Sequence, residues 1–334
     1  MNKKYSRGVT LVEILVAMVI GLTLMGGVTL IMISSQRTYT VQGDMARLQE
    51  NSRFALDFLT RDLRSVGYFG CAGGQPAGTV AIGSFDGNSR EGDGPNQSDS
   101  LDISFLETGP AAFAVVDPNP ADDVPLQFNA TSFTATNPGA MNVNSEVMAS
   151  DCGGASRLYQ VTSVNGNAIT INQGLDRNYN NRGQLAGAEM RRLAKYRYRI
   201  APVDIDGNIV GTDGAYTFSL VRDIIGPAPG FNVLATQELV QGVETLQIRY
   251  GEDLSGDGIP DQYRTFDNVT SFANVSSVRV GILMRTINNR SNANLDLNTN
   301  TYVLEPGQPA YDPEDDYRLR RVFSTLVFLR NNNI

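Results

Sequence analysis

The chain has 334 residues, 41 % of them apolar, so one sizeable domain with a packed core is expected. It contains no histidine, which excludes Ser-His-Asp and Cys-His nucleophile systems and histidine-ligated metal sites. The formal net charge of −8 disfavours non-specific binding of nucleic acid, because an acidic surface repels phosphates on average.

The N-terminus combines a short basic segment, residues 1–8, with a long apolar run, residues 9–33. As a helix of about 25 residues, this run would span roughly 37 Å, enough to cross the apolar core of a membrane. The basic flank predicts that the N-terminus is cytoplasmic. The run holds one charged residue, Glu13, and a charge placed so deep is costly unless it serves a function.

Two ordinary explanations account for this N-terminus only in part. A secretory signal would have a shorter apolar core with a small-residue cleavage site behind it. A plain membrane anchor explains the length of the run but not Glu13.

A basic leader, a glycine, an apolar run and a glutamate five residues after that glycine resemble the class III signal of type IV pilins and pseudopilins. The resemblance implies cleavage between Gly8 and Val9 by the prepilin peptidase, followed by N-methylation of Val9. Cleavage would create an α-amine at Val9, whose charge is opposite to that of the Glu13 carboxylate. Such a pair, within one chain or between neighbours, offsets a desolvation cost of several kcal/mol per ion and fixes the register of helix packing. Most family members have phenylalanine where this chain has Val9. Loss of residues 1–8 removes three basic residues and no acid, which changes the net charge from −8 to −11.

The apolar run is predicted to be the first part of one helix over residues 9–66. Its membrane or filament-core part covers 9–33, and an amphipathic continuation covers 34–66. No proline occurs before Pro76, and Gly67 is a candidate end of the helix. The face at helical spacing consists of Met45, Leu48, Ser52, Ala55, Leu59, Leu63 and Val66. The breadth of this apolar face favours packing on a globular domain over a free coiled coil.

Residues 67–334 are predicted to form a mostly antiparallel β-sheet head, which makes the fold class α+β, with the long pilin-like helix packed on the head. Residues 67–100, rich in Gly, Ser, Asn and Asp, predict a surface loop. Period-two alternation predicts strands around residues 101–105, 196–200, 246–250 and 278–284. Residues 322–329 are apolar on both faces, which predicts a central strand. A candidate insertion subdomain spans about 110–235.

Three stretches resemble PilW-type minor pilins: the helix-to-head junction 46–71, residues 239–258, and the ending 317–331. The resemblance implies a non-enzymatic minor pilin that acts in the initiation of pilus assembly and in a tip complex. Its implied partners are other minor pilins, the major pilin, the inner-membrane assembly machinery and a tip adhesin. Before assembly, the chain would cross the inner membrane once with a periplasmic head, and afterwards it would lie in the pilus, at the tip.

The two cysteines, Cys71 and Cys152, predict one disulfide, because the N-terminus indicates export to an oxidising compartment. Two buried free thiols are the alternative.

Residues 252–261 have the spacing of a calcium-binding loop, so calcium is the one cofactor considered. The candidate ligands are Asp253, Ser255, Asp257, the backbone carbonyl of Ile259 and Asp261. The twelfth position is Arg264 instead of glutamate, so Glu252 or a distant carboxylate would have to replace the bidentate ligand. A hairpin turn is the alternative. A weaker set, Asp204, Asp206 and Asn208, is interpreted as a turn.

Three rivals to the minor-pilin function remain open. A type II secretion pseudopilin shares the leader and the helix. A DNA- or ligand-binding surface protein belongs to another class, and the acidic charge argues against its DNA-binding form. A membrane-anchored surface protein would keep its leader. The sequence contains no nucleophile motif, so enzymatic activity is not expected.

Overall fold

The computed structural model describes residues 9–70, 75–76, 79–107, 128–134, 142–150, 156–177, 179, 189–204, 206, 208–210, 217–227, 231–289 and 297–331. Within these residues, one α-helix is followed by a nine-stranded sheet and a four-stranded sheet, whose paired strands are antiparallel. The predicted α+β class is therefore confirmed. One-turn 3₁₀ segments lie at Pro95–Gln97, Phe266–Asn268 and Phe272–Asn274.

Helix α1 runs without interruption over Leu11–Ser65, close to the predicted range. Thr10 is its N-cap residue, and Gly67 follows its end with φ +74°, a conformation that glycine adopts without steric cost. The first part of α1 is exposed, whereas from Asp44 onward one face packs on the head. The buried residues of that face are Asp44, Leu48, Ser52, Ala55, Leu59, Asp62 and Leu63. Met45, predicted on this face, is only partly buried.

The first sheet contains strands β1 to β9. They are β1 Ile82–Gly83, β2 Leu101–Leu106, β3 Ser132–Thr134, β4 Glu146–Ser150, β5 Ser156–Asn165, β6 Ala168–Ile171, β7 Glu189–Val203, β8 Thr217–Ile225 and β9 Val233–Gln241. The main path is β1-β2-β7-β4-β5-β6-β3, while β8 pairs with β7 and β9 pairs with β8. A hydrophobic cluster centred on Val147, Tyr159 and Met190 lies under β3 to β6 and the start of β7. Whether this region is a separate subdomain stays a prediction.

The second sheet contains β10 Val243–Glu252, β11 Gln262–Arg264, β12 Val275–Arg285 and β13 Arg320–Phe328, in the order β11-β10-β12-β13. The prediction that 322–329 form a central strand is wrong, because β13 is the edge strand of this sheet in the described part of the chain. The apolar pattern of β13 has another explanation. Val327 and Phe323 pack into the core that includes α1, whereas Leu326 and Phe328 are exposed.

Gly242 is the single residue between the last strand of the first sheet and the first strand of the second. Its φ is +84°, and its N–H donates to the carbonyl of Phe218 at 2.8 Å. A Cβ atom at this position would lie 2.7 Å from the carbonyl oxygen of Arg285. The corner between the two sheets therefore requires glycine for both conformation and space.

The main hydrophobic core joins α1 to both sheets. It includes Leu59 and Leu63 of α1, Ile200 of β7, and Ile248 and Val280 of the second sheet. The predicted packing of the amphipathic half of α1 on the head is confirmed, and a free coiled coil is not what forms.

The stretch 67–100 is only in part the surface loop that its composition predicts. Ile82 and Phe85 are buried. Arg90, also buried, pairs at 3.1 Å with the fully buried carboxylate of Asp102, which Arg197 contacts at 2.6 Å. Polar composition misled the prediction because these charges are neutralised by partners inside the head.

Helix α1 and β13 run in the same direction. At one end, Asp44 and Leu48 line a cavity together with Arg285, and Arg285 is paired with Arg320 at the start of β13. At the other end, the side-chain amide of Asn331 donates to the carbonyl of Val66 at 3.4 Å. The helix therefore follows β13 along its length.

Candidate functional site

The start of α1 is held by a reciprocal capping box between Thr10 and Glu13. The Thr10 hydroxyl oxygen accepts a hydrogen bond from the backbone N–H of Glu13 at 3.3 Å. A carboxylate oxygen of Glu13 accepts from the backbone N–H of Thr10 at 3.1 Å and from its hydroxyl at 3.2 Å. Two N–H groups at the helix start thereby gain partners that the helix itself cannot supply.

The capping box turns the Glu13 carboxylate back toward the N-terminal end of the helix. Val9, which precedes the capping residue, is 70 % exposed, and Gly8 lies outside the described residues. The carboxylate thus lies near the position where cleavage after Gly8 would create an amine. Sequence analysis missed Thr10, although the spacing Thr10-x-x-Glu13 is the known signature of a capping box.

The first part of α1 presents apolar side chains that no part of the described head covers. The helix is long and apolar enough to cross a membrane, and the most apolar stretch of 18 residues is not buried at all. Leu22 is 71 % exposed, and Leu30 is 70 % exposed. An apolar surface of this extent requires a membrane or other apolar helices as its surroundings.

The second part of α1 is attached to the head by a buried polar cluster around Asp62. Tyr198 of β7 donates a hydrogen bond to the Asp62 carboxylate, and Arg222 of β8 donates to the same oxygen at 3.1 Å. Nearer the middle of the helix, the Asn51 amide donates to the carbonyl of Gln241 at 3.2 Å. These contacts fix the helix on the head by its polar as well as its apolar groups.

The predicted calcium loop is closed by its own backbone. Asp253 accepts hydrogen bonds from the N–H groups of Gly256 at 2.6 Å, Asp257 at 3.3 Å and Gly258 at 2.7 Å. Desolvation raises the pKa of Asp253, but these N–H groups lower it more, so the net shift is downward. Asp261 accepts from the N–H groups of Leu254 and Ser255, at 2.7 and 3.0 Å.

The structure corrects the proposed replacement for the missing twelfth ligand. Glu252 is fully buried, accepts the N–H groups of Thr270 and Ser271, and pairs with Arg264 at 2.9 Å. Its carboxylate is therefore already engaged in structural contacts with these three residues. In the residues described, no group of three or more Asp, Glu, His or Cys side chains is arranged to hold a metal ion. Calcium binding stays a prediction.

Two predicted sites remain. The weaker candidate calcium set at Asp204 forms a turn, and the predicted cysteine pair lies outside the described residues. Asp204 accepts from the N–H groups of Asp206 at 2.9 Å and Asn208 at 2.8 Å, which is the geometry of a turn. Cys71 and Cys152 both lie outside the described residues, so their disulfide stays a prediction.

Two family models match the chain. Residues 3–29 match the prokaryotic N-terminal methylation motif, and residues 209–331 match the type IV pilus-assembly protein W family. A search of the curated proteins and a search of the solved structures each found no match.

The matched ranges cover the leader, the exposed start of α1, and the second sheet with its edge strand. Two of the three stretches that resemble PilW-type proteins, 239–258 and 317–331, fall within the second range, and 46–71 lies outside both. The motif and the exposed apolar helix fit a membrane-anchored pilin. Together, the two matches support a type IV pilus minor pilin of the PilW type with a prepilin-like N-terminus.

Proposed function

We propose that this minor pilin takes part in the initiation of pilus assembly, in a complex with other minor pilins at the pilus tip. The observation that carries the proposal is the division of α1 into an exposed apolar part and a part packed on the head. The exposed part can exchange lipid contacts for contacts with neighbouring helices, because both surroundings are apolar. The head meanwhile offers a folded surface to partners. The role is structural and needs no catalytic group.

Processing comes first in this proposal. The prepilin peptidase cleaves between Gly8 and Val9, and Val9 is then N-methylated. The new amine pairs with a Glu13 carboxylate, in the same chain or in a neighbour, since an unpaired carboxylate in apolar surroundings is costly. Thr10 holds Glu13 near that amine through the capping box.

Before assembly, the chain is held in the inner membrane with its head in the periplasm, next to the inner-membrane assembly machinery. After assembly, it lies at the pilus tip between the major pilin and a tip adhesin. A type II secretion pseudopilin is the rival function. Deletion of the chain separates the two: loss of pili supports the pilin, and loss of protein secretion with normal pili supports the pseudopilin.

The processing step is tested by mass spectrometry of the chain from sheared filaments. We expect an N-terminal residue Val9 carrying one methyl group. A filament protein that still begins with Met1 would contradict both cleavage and the pairing of Glu13.

Thr10 and Glu13 are tested by counting pili in cells that carry single substitutions. Glu13→Gln and Thr10→Val should each lower pilus number, because the first removes the charge and the second removes both hydroxyl hydrogen bonds. Thr10→Ser keeps the capping box and serves as the matched control. Equal amounts of each variant in the membrane must be verified. Normal pilus number with Glu13→Gln would overturn this role.

A further inference from the structure

The outer edge of β13 has no strand partner among the described residues, and its hydrogen-bonding groups can be identified. The N–H of Leu329 donates to the carbonyl of Ser276 at 2.9 Å, so Leu329 faces the neighbouring strand β12. Backbone groups alternate in direction along an antiparallel strand. The N–H groups of Val322, Ser324, Leu326 and Phe328 therefore point away from β12, toward the free edge.

The same strand exposes apolar side chains beside this edge. Leu326 is 42 % exposed and Phe328 is 53 % exposed, on the face opposite the buried Val327. An open row of N–H groups next to apolar side chains is the usual receptor for an added strand. The strand is nine residues long, a usual length for a stable strand pairing.

Charge at the two ends of β13 indicates which kind of strand can be added. Arg321 and Arg330 are both exposed, and neither makes an ion pair with any residue described by the structure. Residues 317–334 contain no acidic residue, in a chain whose net charge is −8. The other two arginines of this stretch are occupied: Arg320 pairs with Glu244 at 2.6 Å, and Arg318 pairs with Asp316 at 2.9 Å.

A second copy of this chain is a poor occupant. Full-length antiparallel pairing of two β13 strands would bring the Arg321 end of each copy beside the Arg330 end of the other. Like charges would then meet at both ends of the pair, which is destabilising.

We propose that the free edge of β13 binds an extended segment of a different protein chain, by strand addition, and that this segment carries carboxylates at both ends. The backbone of the segment bonds to the outward N–H and C=O groups of β13, and its end carboxylates pair with Arg321 and Arg330. The proposal concerns the head alone and does not depend on the stage at which the chain enters a pilus.

The test uses the full chain in detergent and a synthetic peptide of ten residues, the length of the stretch from Arg321 to Arg330. The peptide has alternating threonine and valine between two terminal glutamates and carries a fluorescent label. One control peptide has lysines at both ends. A second control keeps the glutamates but is N-methylated at alternate residues on the side that would face β13. Binding is followed by fluorescence anisotropy at low salt.

We expect the glutamate-ended peptide to bind at least about tenfold more tightly than the lysine-ended one, because two cross-strand charge pairs are attractive with glutamate and repulsive with lysine. The N-methylated peptide should not bind. The N–H of Ser324 points outward and makes no bond to β12. Ser324→Pro removes this N–H and should therefore abolish binding, whereas Ser324→Ala keeps it and should not. The double variant Arg321→Glu with Arg330→Glu should reverse the preference between the two peptides, which keeps the test valid if Ser324→Pro fails to fold.

Three results would overturn the proposal. The first is equal binding of the glutamate-ended and lysine-ended peptides, or a preference between them that the double variant leaves unchanged. Either result would show that Arg321 and Arg330 do not select the peptide. The second is binding that survives N-methylation of the peptide, since the backbone edge would not be used. The third is a concentration-dependent dimer of the chain that Ser324→Pro disrupts, since a second copy would then occupy the edge.

Discussion

The Tyr198 hydroxyl on β7 donates a hydrogen bond to the buried carboxylate of Asp62 on α1, across 136 residues of sequence. Arg222 donates to the same carboxylate oxygen. Burial, and then the neighbouring Asp62 carboxylate, raise the pKa of Tyr198 well above its usual range, so the hydroxyl remains a donor. The helix carries the acid and the sheet carries both donors, so this cluster ties the two parts together.

Tyr198→Phe is expected to lower the free energy of unfolding by about 1.5–3 kcal/mol, because a buried carboxylate loses one of its donors. Arg61→Ala is the control: Arg61 contacts the same carboxylate at 3.3 Å, but its side chain is 66 % exposed. That change should cost about 0.5 kcal/mol or less. Thermal unfolding of the full chain in detergent measures both. Equal stability of Tyr198→Phe and the wild type would show that the cluster does not hold the helix.

Gly242→Ala is expected to destabilise the corner between the sheets more than a comparable change elsewhere. Gly307 has the same φ of +84°, but nothing lies within 4 Å of its Cβ position. Gly307→Ala should therefore cost only the backbone strain, about 1–2 kcal/mol. Gly242→Ala adds the clash with the Arg285 carbonyl and should cost at least about 2 kcal/mol more. Denaturant unfolding of both variants isolates the clash, and similar costs would contradict the close approach.

Glu305 is a fully buried carboxylate that packs against Gly281 of the second sheet, and no residue described by the structure donates a hydrogen bond to either of its oxygens. The Arg279 guanidinium lies 3.6 Å from this carboxylate. Burial raises the pKa of Glu305 to about 7, although Arg279 and Arg249 act in the opposite direction. Between about pH 4.5 and about pH 7, Glu305 therefore keeps its proton in the folded head but loses it in the unfolded chain.

The contribution of Glu305 to stability should be complete in acid and should fall as the pH rises from about 4.5 to about 7. Glu305→Gln cannot ionise, so it should flatten this part of the stability–pH curve. At pH 8 it should be more stable than the wild type by about 1–3 kcal/mol. The exposed Glu314, in the same stretch, supplies the control Glu314→Gln. Thermal unfolding across this range measures the slopes, and an unchanged slope in Glu305→Gln would refute the assignment.

Calcium binding is best tested at Asp257, because in the described part of the chain a single N–H, that of Ile259, donates to its carboxylate. Asp253 organises the loop backbone, so replacing it would disturb the loop with or without a metal. We expect the full chain to bind calcium weakly, at millimolar concentrations, and Asp257→Ala to lose that binding. Asp206→Ala, in the weaker loop, is the control. An isothermal titration with no heat for the wild type would dispose of the site.

The helix and the strand positions could be predicted because both are local properties of the sequence. The spacing of Leu48, Ala55, Leu59 and Leu63 marks the buried face of α1, and alternation marks β2, β7, β10 and β12. The partners of these elements depend on contacts between distant residues. Nothing near Asp62 in the sequence indicates Tyr198, so the attachment of the helix could not be predicted.

The edge position of β13 is the clearest case of a property that the local pattern does not contain. Apolar residues on both faces of a strand usually indicate a central strand whose two faces are both covered. In β13, helix α1 covers one face, whereas the other face is exposed. The calcium loop is similar. Its spacing fits a metal site, while only the fold shows that Glu252 is engaged by Arg264 and Thr270.

The parallel course of α1 and β13 has a mechanical consequence. The helix has 55 residues, so it is a rod about 80 Å long, and its second part is the part that contacts the head as far as the structure describes it. Tension applied to the free part travels along the rod and loads all contacts between Asp44 and Val66 in shear at the same time. Detachment under such a load requires many contacts to fail together, whereas a sideways pull would open them one after another.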